Sequence, residues 1–290
     1  MTRESLARKF HPVGFEQPEN SRKNYVKPRA ELQEAFDRWV EELPETYLHF
    51  EKAENQYKKA CKSIQPLGEI PYRESNSLLA DFNPKTYGQK EVGLFISACY
   101  IHSPEQTIIF DLDAPEIEYI GYKTNKNIFN NGKVGNWFAY ASSGLSVNNG
   151  DCGGVFARDS SGLVVNNGEC GNWFAQRSSG PAVNNGECGD CFASYSSGLA
   201  ITIKKPKSYG YREKGRTIKS ADCDRIPELR KYLEELCDLT RGIKDEESAK
   251  MFLERYGIGG EKIEPEIQEI LDGNRPWVRC YRTLKNFFQK

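Results

Sequence analysis

A mixed α and β architecture organised around a single-stranded parallel β-helix is what this sequence predicts, on three observations. Between Asn130 and Ile201 the chain repeats itself four times with an unbroken period of eighteen residues; the copies start at Asn130, Asn148, Asn166 and Asn184, and each is close to NNGECGNWFAxxSSGLxV. A unit this short cannot bury its own apolar face, so the copies must stack as coils of a solenoid. Glycine recurs at fixed places, at Gly132, Gly150, Gly168 and Gly186 and again at Gly144, Gly162, Gly180 and Gly198. Such columns mark corners or points where successive coils approach closely. On either side of the block the apolar residues change to helical spacing, so helices flank the solenoid.

In chain order, residues 1–28 mix Arg, Lys, Pro and Asn without an apolar period and read as an irregular basic arm. The region 29–106 is a helical N-terminal cap: Leu32, Phe36, Trp39, Val40 and Leu43, then Tyr47, Leu48, Phe50 and Tyr57, fall at helical spacing, with Pro44 as a break. The apolar run at 92–101, VGLFISACYI, is expected to be a helix covering the open end of the solenoid. The solenoid itself is expected over 107–203; TIIF at 107–110 leads in, and a degenerate copy aligning Glu118–Gly121 with Asn136–Ala139 makes about five coils. The turn-rich basic stretch 204–221 reads as a linker, and 222–290 as a C-terminal helical region. There Leu229, Leu233, Leu236 and Leu239 are expected on one face of a helix from Pro227 to Leu239, acids open a helix from Asp245 to Tyr256, and further helices are expected over 264–271 and 277–288.

Each coil reads as two strands, NWFA and LxV, joined by a glycine corner and an SSG corner. In the second strand Leu145, Leu163 and Leu199 with Val147, Val165, Val183 and Ile201 are expected to face inward. In the first, the unvarying column Phe138, Phe156, Phe174 and Phe192 is placed inside, because a packed interior tolerates the Trp137, Val155, Trp173, Cys191 volume changes poorly. That leaves Trp137 and Trp173 pointing outward, either beneath the flanking helices or on an interaction face. The paired Asn columns starting at Asn130 and Asn131 are expected to form amide ladders.

In G-N-W-F-A followed by S-S-G-L-x-V, the coil resembles the GXGXG β-helix repeats found in the large chain of glutamate synthase and in one component of formylmethanofuran dehydrogenase. The resemblance covers under a third of the chain and implies a right-handed parallel β-helix used as a spacer or docking surface, with no catalytic residues to carry over. Ala139, Ala157, Ala175 and Ala193 stand where that pattern has Gly, and SSG replaces its double glycine. An eighteen-residue coil also suggests a left-handed hexapeptide β-helix, but counting six from Val165 reaches Gly171 and then Arg177, which leaves two faces without an aliphatic residue.

Chemistry is sparsely marked. The 290 residues carry a formal net charge of −1, so no global field draws the chain to nucleic acid or an anionic membrane. No apolar run approaches the roughly 20 residues of a membrane span, and MTRESLARKFHP lacks a signal-peptide core, so a cytoplasmic protein with no membrane contact is expected. Cys152, Cys170 and Cys188 form one column and Cys191 adds a CxxC spacing, a zinc or iron candidate, although an offset of three along a strand sends the thiols to opposite faces. The histidines His11, His49 and His102 all lie outside the clear coils, so no Cys–His pair is indicated and no cofactor is expected. Lys133, Asp151, Glu169 and Glu187 read as a solvated edge. Lys204, Lys205, Lys207, Arg212 and Arg216, interleaved with Tyr209 and Tyr211, have the composition of a nucleic-acid surface. The leading reading is a non-catalytic scaffold that docks a protein partner or a second copy; a nucleic-acid-associated protein and a metal-binding protein or enzyme subunit are the alternatives.

Overall fold

A computed structural model describes residues 26–45, 50–80, 82–209, 217–257 and 260–273. Most of the expected basic arm, Tyr47 and Leu48, Tyr211, Arg212 and Arg216, and the helix expected over 277–288 lie outside these residues.

The centre of the chain winds a parallel β-solenoid of about six turns, flanked by helices on both sides in sequence. Sheet A runs β1 (Thr107–Phe110), β3 (Asn127–Asn130), β5 (Ser146–Asn148), β8 (Val164–Asn166), β11 (Ala182–Asn184), β14 (Ala200–Thr202) and β15 (Thr217–Ile218). The register offset is twenty residues at the first turn (Thr107↔Asn127), eighteen through the clear repeats (Val147↔Val165) and seventeen at the last (Ala200↔Thr217). The stretch expected as a linker therefore contributes a further partial turn: Lys207 N donates to Cys188 O, Tyr209 bridges Phe192, and β15 extends sheet A.

Three of the four clear coils have three short strands where the sequence suggested two; in the first, Phe138 makes only an isolated bridge to Phe156. Sheet B is β2 (Asp113–Ala114), β4 (Lys133–Val134), β6 (Asp151–Cys152), β9 (Glu169–Cys170) and β12 (Glu187–Cys188); sheet C is β7 (Val155–Phe156), β10 (Trp173–Phe174) and β13 (Cys191–Phe192). A two-residue strand such as Glu169–Cys170 carries no alternation, so only its stacking reveals it.

Inside, Phe138, Phe156, Phe174 and Phe192 are fully buried and stack at 5.2, 5.4 and 5.6 Å between ring centroids. The expected parity of sheet A is reversed. Phe129, in register with Val147, packs its ring 6.3 Å from Phe252, and the Leu163 side chain lies against the backbone at Gly260. The Leu and Val columns therefore face outward, beneath the C-terminal helices. The inward column is Ile128, Ser146, Val164, Ala182 and Ala200. Volume explains the reversal: opposite the stacked Phe column the inward places hold Ser146, Val164, Ala182 and Ala200, each smaller than the Leu residues of the outward column. The inner Asn column closes the adjoining corner as a ladder, Asn130 Nδ2 to Asn148 Oδ1 at 2.7 Å, Asn148 to Asn166 at 2.9 Å and Asn166 to Asn184 at 2.8 Å.

The third-position glycines are close-approach residues. A Cβ at Gly168 would stand 1.8 Å from Gly150 O, so any side chain would push the coils apart. Left-handed backbone is carried instead by Ala139, Ala157, Ala175 and Ala193 (φ 53, 55, 52 and 53°), in line with Gly121 (φ 78°). The buried serines of the last three SSG corners support three of them: Ser160, Ser178 and Ser196 Oγ donate to the carbonyls of Ala139, Ala157 and Ala175.

Before the solenoid come α1 (Val26–Glu41), α2 (Phe50–Ile64), α3 (Tyr72–Ser77) and α4 (Gly93–Ile101). The expected helix at 92–101 is α4, buried from Gly93 to Tyr100. It seats against the first coil, where Ser97 Oγ donates to Tyr119 O and accepts from Tyr122 N, while Asn76 Nδ2 from α3 donates to Ile109 O in β1. After the solenoid come α5 (Ser220–Cys223), α6 (Pro227–Arg241), α7 (Glu246–Tyr256) and α8 (Ile263–Gly273). The outer Asn column anchors this cover: Asn167, Asn149 and Asn131 Nδ2 donate to the carbonyls of Cys237, Thr240 and Ile243. Each step of one coil thus meets a step of three residues near the α6 C-terminus. The two periods match, because three helical residues rise about 4.5 Å and stacked strands repeat at about 4.8 Å. The Thr240 carbonyl lies in the last turn of α6, where intrahelical donors run out, and the Asn149 amide joins Ile243 N as a donor to it.

Candidate functional site

With sheet A covered by helices, sheets B and C and the turns beside them remain as candidate faces. On sheet B the thiols of Cys152, Cys170 and Cys188 are buried, and the next column outward is Asp151, Glu169 and Glu187. The neighbouring Cys152 thiol and burial push Cys170 well above the ordinary thiol range, and burial raises Cys188, so both hold their protons near neutral pH. Cys191 sits half-buried on sheet C beyond the corner at Gly189 and Asp190. Among the described residues no three His, Cys, Asp or Glu side chains converge as metal ligands would. Exposed Lys204, Lys205 and Lys207 share a groove of about 510 Å³ with Asp151, Glu169 and Glu187, so the basic stretch meets a carboxylate column of its own chain.

The other face gathers the positions at which the repeat varies. Next to the outward column Tyr119, Trp137, Val155, Trp173 and Cys191 run the two unspecified places of the consensus, first Tyr122, Tyr140, Arg158, Gln176 and Ser194, then Lys123, Ala141, Asp159, Arg177 and Tyr195. Trp137 and Trp173 are both half-buried and stand two coils apart. Val155 leaves space between them, and the Arg158 guanidinium fills it, 5.5 Å from the Trp137 ring and 5.6 Å from the Trp173 ring. A cation held between two indole faces is attracted by both ring quadrupoles.

Asp159 organises what surrounds this stack. It accepts from Tyr140 Oη at 2.7 Å, forms an ion pair with Arg177 Nε at 2.9 Å, and lies 3.6 Å from Arg158 Nε. Burial and the Asp159 carboxylate raise Tyr140 above the usual phenol range, so it remains a donor. Arg158, Asp159 and Arg177 line a groove of about 660 Å³ together with Trp173, Gln176, Tyr195 and Ser197.

The backbone beneath the groove is strained. Lys123, Ala141, Asp159, Arg177 and Tyr195 all have positive φ, between 51 and 60°, where side chains other than Asn and Asp are uncommon. The geometry turns amides forward: Ala141, Asp159 and Arg177 N donate to the carbonyls of Arg158, Gln176 and Ser194 in the next coil, whereas Ala157 N donates back to Phe138. The forward bonds account for the conformation; the bulky residues placed there are not what that conformation favours.

Of the residues singled out from sequence, Trp137 and Trp173 come together through Arg158, Cys152, Cys170 and Cys188 form a buried column from which Cys191 stands apart, and the three described lysines belong to another groove. Sequence reasoning missed Arg158, Asp159, Gln176, Arg177 and Tyr195, although their signal was there: they are the only two adjacent places at which an otherwise strict consensus specifies nothing.

No helix among the described residues is long and apolar enough to cross a membrane. Comparison with family models, curated proteins and solved structures finds no match to this chain.

Proposed function

We propose that this protein is a non-catalytic β-solenoid scaffold that recognises a partner through the groove at Trp173, Asp159 and Arg177. The observation that carries the reading is the concentration of variation: the constant columns are consumed by corners, ladders and core, while the varying ones meet around one groove, where Arg177 and Tyr195 stand on left-handed backbone. Strain of this kind costs about 1–3 kcal/mol per residue and tends to persist where a side chain must be presented in a fixed place. The resemblance of the coil to GXGXG repeats, whose families use the β-helix for spacing or docking, supports the same reading. A photo-crosslinking residue at position 195 should capture the partner from native extract, while the same residue at position 187 on sheet B should not. Equal capture at both positions, or capture at 187 alone, overturns the assignment.

A further inference from the structure

We propose that Cys152, Cys170 and Cys188 form a redox site in which a hydroperoxide joins Cys170 to one of its neighbours by a reversible disulfide between coils. Register brings the thiols together. Cys152 pairs with Cys170 and Cys170 with Cys188 in parallel sheet B, so residues eighteen apart in sequence face one another in consecutive coils. Stacked strands hold such Cα atoms about 4.8 Å apart, inside the range of about 4.4–6.8 Å that a disulfide spans. A bond needs the Cβ atoms about 3.8 Å apart, roughly 1 Å closer than the strand spacing. The glycine after each cysteine, Gly153, Gly171 and Gly189, lets the backbone yield by that much. All three thiols are free, and the Cys152 thiol is near enough to Cys170 to act on its protonation.

Packing alone does not ask for sulfur at this place. Ala114 and Val134 hold it in the two turns before, in register with one another and with Cys152. Among the described residues no other cysteine pairs with a cysteine: Cys191 pairs with Trp173, and Cys61, Cys99, Cys223 and Cys237 belong to helices.

Access and chemistry fit a small oxidant. The three cysteines, each 5–7% exposed, line the groove of about 510 Å³ with Lys204, Lys205 and Lys207. Hydrogen peroxide is compact and uncharged, so it reaches a thiol that a bulky reagent cannot. One thiol of a pair, on losing its proton, attacks a peroxide oxygen; the O–O bond breaks, leaving a sulfenic acid and a hydroxide that takes up the proton as water. The neighbouring thiol then attacks that sulfur, the S–O bond breaks, and a second water leaves. Two thiols have lost two electrons, and the peroxide has become two waters. Because Cys170 and Cys188 hold their protons near neutral pH, the first step is slow, and the column answers sustained rather than passing oxidation. Cys152 and Cys188 stand two coils apart, about 9.6 Å, which is beyond disulfide reach. Every bond therefore includes Cys170, and only one exists at a time.

The test uses the full chain, reduced and then exposed to excess hydrogen peroxide, with remaining thiols alkylated in denaturant before digestion with trypsin and mass spectrometry. Cleavage after Lys133, Arg158, Arg177 and Lys204 puts Cys152 on one peptide, Cys170 on a second, and Cys188 together with Cys191 on a third. The parent should yield linked peptides for Cys152 with Cys170 and for Cys170 with Cys188, lose two alkylatable thiols per chain, and recover both with dithiothreitol. Cys152→Ala should keep only the second link and Cys188→Ala only the first, while Cys170→Ala should keep neither. Alanine already occupies this column at Ala114, and thermal unfolding matching the parent shows that the variants are folded. Cys191→Ala should change nothing, which assigns the link on the third peptide to Cys188. Absence of any linked peptide in the parent, a Cys152–Cys188 link, links that persist in Cys170→Ala, or loss of the second link in Cys191→Ala overturns the proposal.

Discussion

Sheets A and C are built from the same coils and have opposite fates. The outward columns of sheet A are aliphatic and amide, Phe129, Val147, Val165, Val183 and Ile201 beside Asn131, Asn149 and Asn167, and helices α6–α8 cover them. The outward columns of sheet C and its following turn mix Trp, Arg, Asp, Gln and Tyr, change from coil to coil, and stay accessible in a groove. A column that must match a helix in every turn is held constant by that match. A column facing solvent is free to diversify, and here it places Arg177 and Tyr195 as well as Asp159 on left-handed backbone that favours only the Asp.

Perturbing the two faces in turn tests whether the division is real. The largest effect is expected from Phe252→Ala, which empties the contact with Phe129 and should cost about 3–5 kcal/mol. Native-state hydrogen exchange should show α6–α8 opening before the coils; uniform loss of protection throughout would mean that cover and solenoid are one cooperative unit. Next is Asn167→Ala, which leaves the carbonyl of Cys237 and the hydroxyl of Thr240 without their amide donor and should cost about 1–3 kcal/mol by chemical denaturation. On the open face, Arg158→Ala should cost only about 0.5–2 kcal/mol while shifting the emission of Trp137 and Trp173, since it removes the cation between their rings. A cost as large as that of Phe252→Ala would make the stack a core element. The smallest effect has the opposite sign: Tyr195→Asn, at φ 60° and 42% exposed, should raise stability by about 0.5–1 kcal/mol and lower partner capture. Lost stability there would remove the strain argument.

The solenoid was legible because an eighteen-residue period leaves stacking as the one way to bury its apolar positions, and the Phe column was legible because it does not vary. The parity of sheet A was not. Leu163 and Val165 alternate with Ser146-type positions as a buried strand should, and nothing local says that helices following the solenoid will cover them; the deciding contact is between Phe129 and Phe252. The strand Glu169–Cys170 escaped because two residues carry no period. The groove escaped for a different reason, since Arg158 reaches Trp137 and Trp173 only when coils two apart are stacked, and a residue-by-residue reading treats unspecified positions as filler.

The match of α6 to the outer amides also bears on how this chain can change over time. Tandem coils lengthen and shorten readily by duplicating or losing a unit, because any coil fits on any other. Here the helical cover reaches from Asn167 to β1 and touches the N-terminal cap through Arg73 and Glu246, so it spans a set number of turns. An inserted eighteen-residue unit would leave the amides stacking but carry the first coils about 4.8 Å away from the helices that meet them. The cover therefore acts as a gauge of array length, and copy number in this protein can change only if the helices change with it.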